Sequence, residues 1–275
     1  MKIIETSRLF PLLDGRLNKL LRSLSADEWS RLATPKWTVK DVAGHLLDGN
    51  LRRLSMARDG YYGESFSGNS PQEFVAFLTG LNADWVRAMK RLSPQVLIES
   101  LVETGSQVSE YFGKLDPHGQ AAFAVSWAGE EKSENWFDIA REYTEKWHHQ
   151  QQIREAVGKG VGEIMTRELY FPVLETFMRA LPFCYRQVDA REGATVAVHV
   201  KGEAGGSWYL RREGAEWVLA ADSEVRPDAE ASIPEEAAWK LFTKGLSPEA
   251  AEKYLARAGD PGLTAQLTKV LAIIG

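Results

Sequence analysis

The chain has 275 residues, of which 44% are hydrophobic and 26% are charged, a globular composition that excludes the disordered and collagen-like classes. Its formal charge of −5 argues against a nucleic-acid-binding protein, because such proteins need a basic surface that neutralises phosphates. A single cysteine, Cys184, excludes an intramolecular disulfide framework, and no apolar run is long enough to cross a membrane.

Residues 1–160 predict a helical bundle. Leucines recur at three- and four-residue spacing from Leu9 to Leu24, which is the period of one buried helical face. Another helix begins at Thr38, a residue that can cap the free amide groups of the first turn. A longer helix spans about residues 135–157. The connections are short, so we expect antiparallel neighbours, as in a four-helix bundle.

The region between these helices predicts two more helix starts, each a serine followed by a proline, at Ser70 and Ser93. The helix after Ser70 carries an apolar stripe at helical spacing, and we expect this stripe to be buried in the bundle. Its members are Phe74, Phe77, Leu78, Leu81, Trp85 and Met89.

Residues 161–275 predict a second, smaller domain. Glycines at positions 158–162 interrupt the helical pattern, and after one more helix the hydrophobic period changes from that of a helix to that of a strand. Several short β-rich segments are then followed by helices at about 234–243 and 247–256. Strands followed by helices, without regular alternation, predict an α+β fold.

Three side chains in the helical part could bind a metal. Glu145 and His149 are four residues apart and project from one helical face, and His45 from a facing helix could join them. Two histidines and one glutamate leave zinc an open position, which is typical of catalytic zinc sites. The spacing alone equally allows a surface ion pair and a buried, neutral His45. His148 is rotated by about 100° from His149, so it either supports the metal ligands from behind or has a solvated side chain, and we expect the second.

Two segments of the chain resemble the mycothiol-dependent maleylpyruvate isomerase family, a branch of the DinB-like metal-binding bundles. The family's opening motif is similar to residues 37–46, which read WTVKDVAGHL. Its second motif, in which a glutamate and a histidine four residues apart precede an Asp-Ile-Arg-like run, is similar to residues 145–154. Residues 198–220 and 229–241 are similar to the family's sterol-carrier-like C-terminal domain.

The resemblance implies a divalent metal, most simply zinc, held by His45, Glu145 and His149, and a low-molecular-weight thiol cofactor such as mycothiol. The metal would deprotonate the thiol, and the thiolate would isomerise or S-conjugate a small electrophile. The family has an acidic, catalytically implicated residue where this chain has Gln152, and a neutral amide cannot accept a proton. The resemblance therefore supports metal binding more strongly than the isomerase reaction itself.

The family's C-terminal domain also contributes an arginine. Arg211 and Arg212 are loose candidates for this role, and ordinary exposed strand residues are the alternative. Cys184 lies between two aromatic residues, and we expect a small buried hydrophobe rather than a nucleophile.

Two other functions stay open at this stage. The first is a hydrolase in which the metal activates water and His148 acts as the base. The second is a non-catalytic protein that binds a metal or a small molecule. In each case we expect a cytoplasmic protein, since the N-terminus lacks a secretory signal. We expect a small-molecule substrate and a thiol as partners, with no nucleic acid and no membrane, and the chain could be a monomer or a dimer.

Overall fold

The computed structural model describes residues 2–220 and 226–273. Its first half contains the helices α1 (Phe10–Arg22), α2 (Ala26–Trp29), α3 (Val39–Arg52), α4 (Pro71–Met89), α5 (Pro94–Lys114) and α6 (Asn135–Val157). Helices α1, α3, α5 and α6 pack against one another and form the predicted bundle. A π-helical turn at Arg53–Arg58 continues α3.

Helix α3 begins where the sequence predicts, because its cap is complete. The Thr38 hydroxyl accepts a hydrogen bond from the Asp41 amide at 3.2 Å, and the Asp41 carboxylate accepts one from the Thr38 amide at 3.0 Å. This reciprocal pair satisfies two amide groups that the helix itself leaves without partners. It thereby fixes the start of the helix that carries His45.

The apolar stripe of α4 packs against the bundle core only at its C-terminal end, through Trp85 and Met89, so the prediction of a buried stripe is wrong for the residues before them. Helix α4 packs mainly on α3, and Phe74 remains 37% exposed. Phe77, Leu78 and Leu81 are half-buried and line a cavity beside α3. Periodicity identifies an apolar helical face, but it does not distinguish a face that meets the core from a face that meets a cavity.

The second half of the chain is α+β, as predicted. Its elements are α7 (Arg167–Met178), α8 (Leu181–Tyr185), β1 (Thr195–Lys201), β2 (Gly206–Glu213), β3 (Glu216–Ala220), β4 (Ala229–Pro234), α9 (Glu235–Phe242), α10 (Pro248–Ala251), β5 (Ala256–Gly259) and α11 (Pro261–Ala265). Within the described residues, five strands form one sheet in the order β3-β2-β1-β4-β5. Strands β1 and β4 are parallel, and the other neighbours are antiparallel.

One helix near the C-terminus is shorter than predicted. The helix expected at 247–256 ends at Ala251, and Ala256 instead begins β5 by pairing with Ser232 of β4. The pairing partner is distant in sequence, so a local pattern could not reveal it. Pro182 lies in the first turn of α8, where its missing amide costs nothing.

A single hydrophobic cluster continues from the bundle into the second half. The indole of Trp147 on α6 stacks on Tyr170 of α7 with ring centroids 4.4 Å apart, and Trp239 of α9 meets it edge-on at 6.0 Å. The two halves thus share apolar core, and the division into domains at residues 160 and 161 stays a prediction. Among the helices of the described residues, none has both the length and the apolarity to span a membrane.

Candidate metal centre

The structure brings together the three side chains that the sequence singled out. His45 projects from α3, and Glu145 and His149 project from adjacent turns of α6. One donor atom from each residue lies within 4.8 Å of the other two. His149 Nε2 is 3.6 Å from a Glu145 carboxylate oxygen, and the two imidazole ring centroids are 4.9 Å apart. These separations suit three ligands that converge on one ion.

A hydrogen bond to Gln152 fixes the orientation of His149. The Gln152 side-chain oxygen lies 2.9 Å from His149 Nδ1. An amide oxygen can only accept, so Nδ1 carries a proton and donates it. The other ring nitrogen, Nε2, faces Glu145, and a histidine that donates through one ring nitrogen can bind a metal through the other.

His45 has a buried nitrogen without a protein partner. Its Nδ1 is buried and makes no hydrogen bond to any described residue. Burial, together with the charge of His149, lowers the pKa of His45 to about 3, so the ring is neutral at pH 7. A buried polar atom without a partner is costly unless a ligand satisfies it. A bound cation would relieve this cost.

Glu145 is ionised beside these rings. Its burial raises the pKa, but the hydrogen bond with His149 and the nearby His148 and Arg141 outweigh that effect and hold the pKa well below the usual range. The centre therefore offers one carboxylate and two imidazoles, the ligand types that bind divalent metals in their deprotonated forms. This donor set fits zinc.

His148 is buried, so the expectation of a solvated side chain is wrong. Only 3% of the residue is exposed, and its Nδ1 donates to the Thr144 carbonyl at 2.9 Å. Burial lowers its pKa to about 4. Helix α6 is buried on most of its circumference, so a rotation of one residue around the helix does not reach solvent.

The three candidate ligands open onto a cavity of about 960 Å³. Its wall includes α4, the segment between α3 and α4, and the face of α6 that bears the ligands. The second half of the chain contributes Thr243 and Ile273 to this wall. The volume is at the upper end of the range for small-molecule sites, about 300–1,000 Å³.

A buried charge network that the sequence analysis missed lies beside the metal centre. Arg53 donates to Asp138 at 2.7 and 3.1 Å and also bonds Glu142, and Arg141 bonds the same two carboxylates at 2.7 and 3.1 Å. The sequence does contain a signal for it. Positions 138, 142, 145, 149 and 152 repeat at alternating spacings of four and three, which places one polar stripe along the inner face of α6.

Comparison with known proteins agrees with this geometry. The family described as "Mycothiol maleylpyruvate isomerase N-terminal domain" matches residues 10–154, which is more than half of the chain and includes all three candidate ligands. The chain belongs to this family. Among curated proteins, none matches the sequence.

Solved structures of this family's isomerase share the fold over nearly the whole chain. A crystal structure of the mycothiol-dependent maleylpyruvate isomerase, as a histidine-to-alanine mutant, has a TM-score of 0.55 at 10% identity and covers 94% of this chain and 96% of its own. A second crystal structure of the isomerase has a TM-score of 0.53 at 11% identity and covers 88% and 91%. The resemblance inferred from the two sequence motifs is therefore confirmed, and so is the α+β fold.

The C-terminal arginine expected from the isomerase resemblance does not reach the cavity. The guanidinium group of Arg211 bonds Glu213 of its own strand, and that of Arg212 lies over the Trp217 ring, 5.9 Å from its centroid. Neither residue lines the cavity. Cys184 is also remote from it. Burial raises the pKa of this thiol, whose sulfur lies 3.7 Å from the Gln266 side-chain nitrogen, so it is a poor nucleophile.

Proposed function

We propose that the protein is a metal-dependent enzyme that uses a low-molecular-weight thiol, mycothiol, for cis–trans isomerisation or S-transfer of a small electrophile. The proposal depends on one observation. The converging donor atoms of His45, Glu145 and His149 lie in the wall of a cavity large enough for a thiol and a second ligand. Family membership supplies the identity of the thiol.

We infer that these three residues hold one divalent metal, most simply zinc. Two neutral imidazoles and one carboxylate leave a tetrahedral ion with an open position. When bound there, the metal would lower the pKa of a coordinated thiol, as metals do for coordinated water and thiols. A free thiol, with a pKa near 8.5, is only in small part a nucleophilic thiolate at neutral pH.

Two neighbouring residues support the centre in different ways. Gln152 accepts a hydrogen bond from Nδ1 of His149 and so directs Nε2 towards the metal centre, and we propose it as a positioning residue rather than a base. His148 donates its Nδ1 proton to the Thr144 carbonyl, which leaves its Nε2 able to accept a proton from a ligand in the cavity. We therefore propose His148 as the nearest proton acceptor.

The access to the site favours an enzyme over a protein that only stores metal. A storage site can be fully enclosed, whereas the Glu145 side chain is 26% exposed and faces the cavity. Thr243 and Ile273 bring the second half of the chain to the cavity wall, where they help to exclude water. We also propose a cytoplasmic location, because reduced thiols are maintained there.

The direct test is turnover by the zinc-loaded protein. Maleylpyruvate and other small cis alkenes are incubated with the protein in the presence of mycothiol, of another thiol, or of no thiol, and products are separated by chromatography. We expect conversion only when protein, zinc and mycothiol are all present, and we expect Glu145→Gln to abolish it.

The same assay separates the competing functions. Consumption of an ester or amide substrate without any thiol would indicate a hydrolase. The protein could instead bind one zinc per chain and convert no electrophile with any thiol. That result would contradict the proposed enzyme and indicate a protein that only binds metal.

A further inference from the structure

We infer that the electrophile is an uncharged compound with aromatic or other bulky apolar groups, and not a dicarboxylate such as maleylpyruvate. This inference rests on the proposed function, because it names the substrate class of the same site. Two observations carry it: the cations of the cavity wall are already paired, and another part of the wall is aromatic.

Every cation of the cavity wall has a carboxylate partner. In the described part of the chain, the lysine and arginine side chains that line the cavity are Arg52, Arg53, Arg141 and Lys146. Arg53 and Arg141 share the two carboxylates described above. Lys146 lies 2.9 and 2.8 Å from the two Asp14 oxygens, and Arg52 lies 3.1 Å from Asp48.

The positions outside the described ranges, 1, 221–225 and 274–275, contain no lysine or arginine side chain. A carboxylate substrate would therefore have to share Arg52, Lys146 or the arginine pair with a carboxylate that the protein already places there. Sharing weakens the attraction, because the charge of each cation is already neutralised.

The remaining charges of the cavity wall are negative. Glu64 and Glu145 line the cavity, and each adds a carboxylate that no lysine or arginine of the wall balances. A divalent ion at the metal centre would offset these two charges and no more. The cavity thus has no excess of positive charge with which to attract a dianion.

One part of the cavity wall is built from aromatic rings. Phe66 lies 5.2 Å from Phe74 and 5.7 Å from Phe77, measured between ring centroids. Tyr61 and Tyr62, in the same segment, are 68% and 52% exposed. Soluble proteins seldom expose clustered aromatic side chains unless the cluster binds a ligand or partner. These rings would stack on an apolar or aromatic substituent.

Three ligands with the same cis double bond test the inference: maleate, dimethyl maleate and dibenzyl maleate. The first carries two carboxylates, the second removes the charge, and the third adds aromatic groups. Binding to the purified protein, with and without zinc, is measured by calorimetry. We expect dibenzyl maleate to bind at least ten times more tightly than maleate, with dimethyl maleate in between.

Two test substitutions and one control sharpen the comparison. Asp48→Asn frees Arg52 and should strengthen maleate binding several-fold, whereas Asp84→Asn, which breaks an exposed pair with Arg87 on α4, should change nothing. Phe77→Ala should weaken dibenzyl maleate binding and leave maleate unaffected. If maleate binds as tightly as the diesters, or if no diester binds, the inference is wrong.

Turnover separates this inference from the proposed function. Maleate and fumarate diesters are isomers, so their interconversion consumes no co-reactant, and mycothiol would be regenerated. Isomerisation of dibenzyl maleate with zinc and mycothiol, but not of maleate, would support both claims. Tight binding of the diester without any turnover would refute the thiol enzyme and still support the apolar ligand class.

Discussion

Replacing Gln152 tests how the family's acidic position acts in this chain. The Gln152 oxygen accepts a neutral hydrogen bond from His149 at 2.9 Å. Glutamate at this position would keep the side-chain length and accept a charge-assisted bond. Neutral hydrogen bonds contribute about 1 kcal/mol, and bonds to charged groups about 1.5–3 kcal/mol. A gain of about 1 kcal/mol corresponds to roughly fivefold tighter metal binding for Gln152→Glu.

The opposite change should weaken the site. Gln152→Ala leaves His149 Nδ1 without its acceptor, and the loss of such a partner typically costs about 10–100-fold in metal affinity. Zinc dissociation constants are measured by competition with a chelating dye at fixed pH. The control is Gln72→Glu, which adds the same charge at an exposed position of α4. Constants within twofold of the wild type for both Gln152 variants would refute the role assigned to this hydrogen bond.

Two further predictions concern stability. The folded protein lowers the pKa of His45 to about 3 and that of His148 to about 4, below the ordinary 6.5, so the unfolded chain takes up protons first as the pH falls. The free energy of unfolding of the metal-free protein should therefore decrease as the pH falls from about 6.5 to 4, by up to about 1.4 kcal/mol per pH unit for each histidine. Urea titrations at several pH values check this. If His148→Gln does not make the free energy of unfolding less dependent on pH, the prediction is wrong. Arg53→Met should lower the free energy of unfolding by about 3–5 kcal/mol in the same titrations, because it breaks a buried network of charges. The control Arg87→Met, at an exposed position, should lower it by less than about 1 kcal/mol. Equal losses of stability in the two variants would refute the role of the network.

Helix boundaries could be predicted where local groups determine them. The capping pair of Thr38 with Asp41 and the start signals at Ser70 and Ser93 depend on residues within one helical turn, and the helices begin there. The range of α6 was also predicted. Such features need no knowledge of the rest of the fold.

The environment of each helix could not be predicted in the same way. The spacing of Phe77 and Leu81 defines an apolar face, but whether core or cavity covers that face depends on where α3 and the segment before α4 lie. His148 is buried because the central helix α6 is surrounded, which a single-helix pattern does not contain. The pairing of β5 with β4 is likewise a contact between distant segments.

The metal centre lies between these two cases. The spacing of Glu145 and His149 could be predicted from one helix, whereas the approach of His45 depends on the packing of α3 against α6. Family resemblance supplied that second element for the ligands. It did not supply the charge network, because Arg53 comes from the π-helical turn after α3, outside both recognised motifs.

The most direct test of the central claim is the metal content of the purified protein, measured by elemental mass spectrometry. The wild type and the variants His45→Ala, His149→Ala and His148→Ala are compared after incubation with zinc and removal of loosely bound ions. We predict about one zinc per chain in the wild type and in His148→Ala, and little in the other two variants. A folded wild type without bound metal, or loss of metal in His148→Ala alone, would contradict the assignment of His45, Glu145 and His149 as the ligands.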